Sequence, residues 1–307
     1  MSFVGPVSDM IFNDTWVSIN GDITKAQEAK ISIFDRGFLF ADSVYEVTRT
    51  YEQIPFLLEE HLQRLHLSAK RLNLPILIDD QEITKEIYNL LKFIQAPQIT
   101  LRIIVTRGLG ELSLDPSTAI GKNNLIIIAK GKNENPPELY EKGVSLIISS
   151  EQRGHDDLAP GIKAGNYLHS MKALQVAKEQ GVYDALLLGE NGEIAEGTTF
   201  NIWMVKNKTI YTPPLSIGIL EGITRKELFK MTKRLQLPLE EKVFHRKDIL
   251  EADEVFLTSS GRELVPVINI DQLIIGNGRP GKMTLKLLDL YRQRIKYYIE
   301  EQKKGRP

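Results

Sequence analysis

The sequence predicts an α+β fold in two domains, and three observations predict it. The chain has 307 residues, beyond the size at which one hydrophobic core usually stops growing. Strand-like and helix-like segments are mixed in both halves. One polar stretch, GKNENPPELY at 131–140, carries a Pro-Pro pair and divides the chain near its middle. The expected division is residues 1–130, a linker at 131–140, and 141–307.

The elements follow in order. Residues 12–19 read as a strand closed by the Asn20-Gly21 turn. Residues 44–51 and 55–58 read as a strand pair. A helix over 59–72 follows from Leu62, Leu65, Ala69 and Leu72 sharing one face. A second helix covers 84–94. Strands at 99–106 and 125–129 flank RGLGELSLDPSTAIGKNN, a loop too long to be a mere connection and so a candidate for function. Beyond the linker, 144–150 reads as a strand and 166–179 as a helix stopped by Gly181. Strands at 184–188, 199–205 and 210–211 use the turns Asn191-Gly192 and Lys206-Asn207. A helix over 224–235, a strand at 255–258 and a closing helix over 283–300 complete the chain.

Composition narrows the function classes. The hydrophobic share of 42% and charged share of 26% are those of a soluble globular chain. A net charge of -1 provides no basic field, so neither nucleic acid nor membrane is expected as a partner. The chain has no cysteine, which removes disulfides, thiolate metal sites and cysteine nucleophiles; a cytoplasmic home fits. MSFVGPVSDM has no basic start or long apolar run and is not read as a signal peptide. No apolar run approaches the roughly 20 residues a membrane span needs.

Four features bear chemistry. Lys163, in GIKAGNYLHS, sits among small residues that leave room for a bulky group at its amine; the plain alternative is a surface lysine. Glu196, in AEGTTFN, is a carboxylate inside a strand-like segment, where it needs a cation or a protonated ring nitrogen; a salt bridge to an arginine is the alternative. In LEGITRKEL, Thr224 reads as an N-cap and Glu227 completes a capping box. Such a helix start offers amides to a phosphate, or is simply a capped helix. Arg64 lies on the first helix, four residues after Glu60, its plain partner. Together they describe a Schiff-base lysine, a pyridinium partner and a phosphate site, which is pyridoxal phosphate chemistry.

The order IFDRGFLFADSVYEVTRTY, EEHLQRL, VTRG, KAGNYL, AEGTTFN, TPPLSIGILEGITR and ADEVFLTSSGRELVPV resembles the fold-type IV, class IV aminotransferases. These include branched-chain aminotransferases, D-amino acid aminotransferases and aminodeoxychorismate lyases. The resemblance runs from about residue 12 to 290. It implies a D-amino acid aminotransferase-like two-domain fold with pyridoxal 5'-phosphate as cofactor and no metal. It makes Lys163 the Schiff-base lysine and proton shuttle, and Glu196 the partner of the pyridine nitrogen. It gives the phosphate to Arg64, Ser260 and the amides of Ile223 and Thr224, and sets Tyr167 near the phenolic oxygen. It places Tyr45, Arg49, Arg107, Gly261 and Arg262 around the substrate. It also implies a homodimer, with the 107–118 loop reaching the neighbouring pocket.

Departures from the family's patterns bear on the substrate. The Arg-x-His pair that grips carboxylates in D-amino acid enzymes falls on Leu112 and Leu114. The YEGIR-like stretch of branched-chain enzymes reads Tyr45-Glu46-Val47-Thr48-Arg49, with valine where glycine is common. The leading expectation is an L-branched-chain amino donor with a 2-oxo acid such as 2-oxoglutarate as acceptor. The alternatives are a D-amino acid or (R)-amine transaminase with another carboxylate grip, and aminodeoxychorismate lyase. A catalytically dead binding relative would be expected to lose Lys163 or Glu196, and both are present. GNGRPGKM at 276–283 imitates a nucleotide loop but has Met283 where magnesium needs Ser or Thr, so a glycine turn before a helix is expected. His155-Asp156-Asp157 has no partner to complete a metal site. His61 and His66, five apart, do not share a helix face well.

Overall fold

The computed structural model describes residues 12–152 and 161–304. The chain forms two compact units. The first comprises Met1–Glu134, Ile162–Asn166 and Ile299–Pro307; the second comprises Asn135–Gly161 and Tyr167–Tyr298. The chain thus changes unit inside the expected linker. The segment bearing Lys163 returns to the first unit, which the sequence reading does not foresee.

The first unit contains strands β1 (Thr15–Ile19), β2 (Asp22–Lys25), β3 (Ser43–Tyr51), β4 (Ile54–Pro55), β5 (Gln98–Thr106), β6 (Leu109–Gly110), β7 (Ala119–Ile120) and β8 (Asn124–Lys132). Six of them form an antiparallel sheet in the order β2-β1-β8-β5-β3-β4. Asn20 and Gly21 both take positive φ, 52° and 91°, as a two-residue hairpin between β1 and β2 requires. One sheet face, through Val44, Leu101, Ile103, Val105 and Ile127, joins a core with Leu62, Leu65, Ile83 and Ile87 of the helices Leu58–Arg71 and Asp80–Leu91. Leu65 is completely buried; cutting it to alanine would cost about 2–5 kcal/mol.

Cross-strand partners share a face, so register fixes what lies opposite that core. Tyr45 pairs with Ile104, and Ile104 with Ile126; Val47 pairs with Arg102, and Arg102 with Ile128. Val17 and Ile19 extend the two rows. The middle of this second face is aliphatic around Arg102, with Arg49, Thr100 and Lys130 forming the next row, and Val47, Ile104 and Ile128 remain partly exposed on it.

The second unit contains β9 (Val144–Gln152), β10 (Asp184–Leu188), β11 (Ile194–Gly197), β12 (Asn201–Lys206), β13 (Thr209–Thr212), β14 (Leu239–Glu241), β15 (Glu254–Ser259), β16 (Glu263–Ile270) and β17 (Leu273–Ile274). Their order is β11-β10-β9-β16-β15-β12-β13-β14, with β17 paired to β16. β11 is the edge strand and β12 is the sixth, yet only three residues connect them. Gly197 N donates to Phe200 O at 2.8 Å, so the sheet must curl back on itself. Trp203 stacks on Phe256 at 5.7 Å, and its Nε1 donates to Thr258 Oγ1 at 2.9 Å.

The sequence reading has a strand-like segment where β11 forms, but omits β16 and the short strands β2, β6, β7, β14 and β17. β16 carries Pro266, which weakens any reading as a central strand. Pro266 is accommodated because pairing with β9 begins only at Val267. Among the described residues, no helix is long and apolar enough to cross a membrane.

Candidate active site

In the first unit, the segment with Lys163 runs against β3. Tyr45 N donates to Lys163 O at 3.1 Å, Gly165 N donates to Ser43 O at 3.1 Å, and Lys163 N donates to Ser68 Oγ at 3.2 Å. This approach needs glycine at 165, where a Cβ would lie 2.6 Å from Ser43 Oγ. The backbone bonds carry the lysine side chain to Tyr45. Lys163 Nζ donates to Tyr45 Oη at 3.1 Å and lies 4.5 Å from the ring centre. The guanidinium of Arg102 lies 4.2 Å from the centre of the same ring. Burial lowers the Arg102 pKa, and among the described residues Arg102 has no ion-pair partner. A half-buried cation on an apolar face is a ready receptor for a carboxylate. Sequence reading missed Arg102; its alternate neighbours on β5 include Gln98, Thr100 and Thr106, so only register, which sets it between Val47 and Ile128, marks it.

Arg64 is buried, but not against Glu60. Its Nε and Nη2 donate to the two oxygens of Glu46, each at 2.7 Å, in a bidentate pair. His61 Nδ1 lies 2.7 Å from Glu46 Oε2. Burial alone would raise the Glu46 pKa, but the charge and hydrogen bonds of Arg64, with the bond from His61, bring it down to about 2. Burial lowers the pKa of His61, which favours the neutral ring donating from Nδ1. Glu46 therefore fixes the plane of the Arg64 guanidinium and does not use Nη1. Neither Glu46 nor His61 was singled out from the sequence, because their contacts join a strand to a helix.

In the second unit, Glu196 is buried at the end of β11. Leu220 N donates to its Oε2 at 3.1 Å, and Asn201 Nδ2 lies 3.4 Å from the same oxygen. Asn201 Nδ2 also donates to Leu220 O at 2.8 Å. Asn201, another residue the sequence reading missed, so links Glu196 to the loop leading into the helix Ile223–Arg234. Tyr167 belongs to this unit as well. Burial, reinforced by the negative charge of Glu196, pushes its phenol up to about 12. It stays protonated and able to donate.

The capping box expected at Thr224 and Glu227 is not formed. The N-cap is Gly222, with no side-chain cap, and Ile223 and Thr224 are the first two helical residues. The Thr224 hydroxyl lies 3.4 Å from Tyr291 Oη. Glu227 accepts from Lys230 at 2.6 Å and Arg294 at 3.2 Å. Gly222 is required, since a Cβ there would lie 2.1 Å from Asn201 Oδ1. The second helix start in this unit is different. Glu254 accepts from the amides of Met283 and Thr284 at 2.9 and 2.8 Å, so a protein carboxylate caps the glycine turn of GNGRPGKM. The uncapped amides at Ile223 and Thr224 remain suited to a phosphate.

The structure gives several expected substrate contacts other partners. Arg49 is buried, bonded to Gln98 and 4.5 Å from the Tyr51 ring centre. Arg107 donates to Asp42 at 2.7 Å, Asn73 O at 2.9 Å and Leu72 O at 3.3 Å. Arg262 donates to Ser259, Asp184 and Thr199. In Arg107 and Arg262 these bonds engage Nε, Nη1 and Nη2 alike, whereas the bond of Arg49 to Gln98 uses Nη2. Ser260 and Gly261 lie on the turn between β15 and β16, and Gly261 O accepts from Asn135 Nδ2 at 3.1 Å. His155-Asp156-Asp157 lies outside the described residues. Among the described residues, no group of three or more acidic or histidine side chains could hold a metal.

Each unit carries groups of the kind that pyridoxal 5'-phosphate needs: in the first, an amine beside a hydroxyl and an oriented arginine; in the second, a backbone-held carboxylate, a protonated phenol and an uncapped helix start. The comparisons agree. The family model for class IV amino-transferases matches residues 43–270. A chain of Methanocaldococcus jannaschii, provisionally named a branched-chain-amino-acid aminotransferase, is 37% identical over 286 residues, 92% of this chain and 98% of that one. The D-alanine aminotransferase of Bacillus licheniformis is 33% identical over 87% of this chain and 93% of its own. A branched-chain amino acid aminotransferase from T.th., solved with pyridoxamine 5'-phosphate, superposes with a TM-score of 0.85 at 31% identity, covering 91% of this chain and 93% of that one. The chain belongs to the class IV aminotransferases and is a pyridoxal-phosphate-dependent transaminase of fold type IV.

Proposed function

We propose that the enzyme moves an amino group between L-branched-chain amino acids and a 2-oxo acid such as 2-oxoglutarate. The observation that carries this reading is the second face of the first sheet. Val47, Ile104, Ile126 and Ile128 present aliphatic surface beside Tyr45 and Lys163, and the Arg102 guanidinium lies over the Tyr45 ring among them. Aliphatic surface suits a branched side chain, at about 0.8 kcal/mol per buried methylene. The cation suits an oxo acid's carboxylate.

When bound, the cofactor supplies an electron sink for the substrate's α carbon. Lys163 would anchor it and serve as the base and acid that moves the substrate's α proton. Tyr45 Oη, 3.1 Å from the amine, orients that proton transfer. Glu196, held by Leu220 N, would pair with the ring nitrogen and favour its protonated form. Tyr167 would donate to the ring oxygen. In the first unit Arg64, aimed by Glu46, and in the second Ser260 and the amides of Ile223 and Thr224, would be the groups that hold a phosphate.

A homodimer and a cytoplasmic location are part of this reading. The 107–118 loop is bound to Arg36, which donates to Ser113 O at 2.8 Å, Leu114 O at 3.2 Å and Asp115 O at 3.3 Å. The loop exposes Leu112 at 75% and Leu114 at 80%, and Ile33, Phe34, Phe38 and Ile120 are exposed on the joined segments. Apolar residues clustered this way suit burial against a second copy.

Turnover with 2-oxoglutarate should be compared for L-leucine, L-valine and D-alanine. Preference for the L-aliphatic donors is expected. Preference for D-alanine would favour the D-amino acid reading, for which the B. licheniformis relative is the supporting observation. Release of pyruvate from aminodeoxychorismate, without transamination, would favour the lyase. Leu112→Ser with Leu114→Ser should shift the sedimenting species toward monomer; a wild-type monomer with full activity would remove the dimer.

A further inference from the structure

We infer that Arg262 is a positioning residue which, with Asp184, clamps together the two turns that carry Glu196 and the Ser260-Gly261 pair. This rests on the reading that Glu196 and Ser260 hold the cofactor. It differs from a role for Arg262 as a grip on substrate.

The guanidinium reaches from the β15–β16 turn to the β11–β12 turn. Within its own turn, Arg262 Nε donates to Ser259 Oγ at 3.1 Å. Across the gap, Nη1 donates to Asp184 Oδ2 at 3.2 Å, and Nη2 donates to Thr199 O at 3.1 Å and Thr199 Oγ1 at 2.5 Å. The cation also lies 5.2 Å from the centre of the Phe200 ring. That ring fills the space where a Gly197 side chain would stand, with a Cβ at 197 coming within 1.9 Å of it. Asp184 completes the tie, since its Oδ1 accepts from Thr198 Oγ1 at 2.6 Å and from Ala185 N at 2.8 Å. Thr198 and Thr199 follow Glu196 by only two and three residues.

The other side of the Ser260 turn is held by its backbone. Asn135 Nδ2 donates to Gly261 O, and Tyr140 Oη donates to Arg262 O at 3.2 Å. The turn is thus fixed on one side by uncharged hydrogen bonds and on the other by a charge-assisted fork. A planar fork that reaches several acceptors at once fixes orientation as well as distance, which lysine cannot do. Placement errors of about 1 Å at groups far from the chemistry lower rates substantially.

The test is titration of pyridoxal 5'-phosphate into cofactor-stripped protein, read by the absorbance of the bound cofactor. Wild type would be compared with Arg262→Ala, Arg262→Lys, Asp184→Asn and the Arg262→Ala/Asp184→Asn double variant. Melting temperature of the stripped protein would be followed in parallel. We expect Arg262→Ala and Asp184→Asn each to weaken cofactor binding by roughly ten- to a hundredfold. Arg262→Lys should fall between, and the double variant should lose no more than the worse single one. KM for the amino acid at saturating cofactor should change by less than about threefold. A raised KM with unchanged cofactor affinity would overturn the clamp and restore a substrate grip. Additive losses, or lowered melting temperatures with unchanged affinity, would also overturn it. Ser260→Ala and Glu196→Gln distinguish the underlying reading. If both left cofactor affinity and absorbance untouched while Arg262→Ala weakened binding, the assignment of Ser260 and Glu196 would fail and the effect of Arg262 would stand.

Discussion

Lys163 in the first unit and Glu196 in the second are both held by backbone, but in different ways. For Lys163, hydrogen bonds fix the main chain, and the side chain extends to a tyrosine hydroxyl. For Glu196, the main chain donates to the carboxylate itself. The difference matches the roles proposed for the two groups. An acid–base group travels between atoms, so its root is fixed and its tip is left with soft contacts. A group that holds a charge in place acts best when it does not reorganise.

The largest expected effect breaks the mobile side. Lys163→Ala should lower transamination by roughly ten-thousandfold or more, read as single-turnover amino transfer, because anchor and proton shuttle go together. Retained turnover would remove Lys163 from the mechanism. On the fixed side, Glu196→Gln should lower kcat by about a hundred- to a thousandfold and alter the absorbance of the bound cofactor, while the fold is kept. Full activity in that variant would remove the pyridinium partner.

Glu46 separates aiming from chemistry. Breaking its buried pair with Arg64 should cost about 3–5 kcal/mol in denaturant unfolding. Its carboxyl pKa is lowered from 4.5 to about 2, so its stabilisation is complete above pH 4.5 and is lost as pH falls toward 2. Glu46→Gln should flatten stability against pH across that window; an unchanged slope would contradict the pair. Arg102→Ala should raise KM for 2-oxoglutarate by about ten- to a hundredfold and leave KM for L-leucine nearly unchanged, in steady-state assays of both substrates. Equal effects on both would remove a role specific to the side-chain carboxylate of 2-oxoglutarate. The smallest effect is expected for Tyr167→Phe, about two- to tenfold in turnover, for the loss of one neutral hydrogen bond.

Legibility in the sequence followed the range of the interactions. Lys163 among small residues and Glu196 in a strand-like segment could be singled out because their immediate neighbours carry the signal. Arg64 could be singled out too, but its partner could not. Helix spacing pointed to Glu60, whereas Glu46 reaches it from β3, eighteen residues earlier in the chain. Thr224 and Glu227 had the spacing of a capping box, yet Glu227 forms longer-range pairs and Gly222 begins the helix. The glycine turn before Lys282 imitated a phosphate loop, and only the fold brings Glu254 to cap it. Most strands and long helices followed from period and turns. β16 did not, since Pro266 disguises it, and its place was set by pairing with β15 and β9. Arg102 could not be read as special until register placed it beside Tyr45.

The most direct measurement is the visible spectrum of the purified, pyridoxal-phosphate-loaded enzyme before and after L-leucine is added without any oxo acid. The expected result is loss of the yellow lysine-bound band and appearance of the pyridoxamine form, with D-alanine producing no such change. A yellow protein that ignores L-leucine and converts with D-alanine would contradict the substrate assignment. A protein that takes up no cofactor would contradict the roles of Lys163 and Glu196 together.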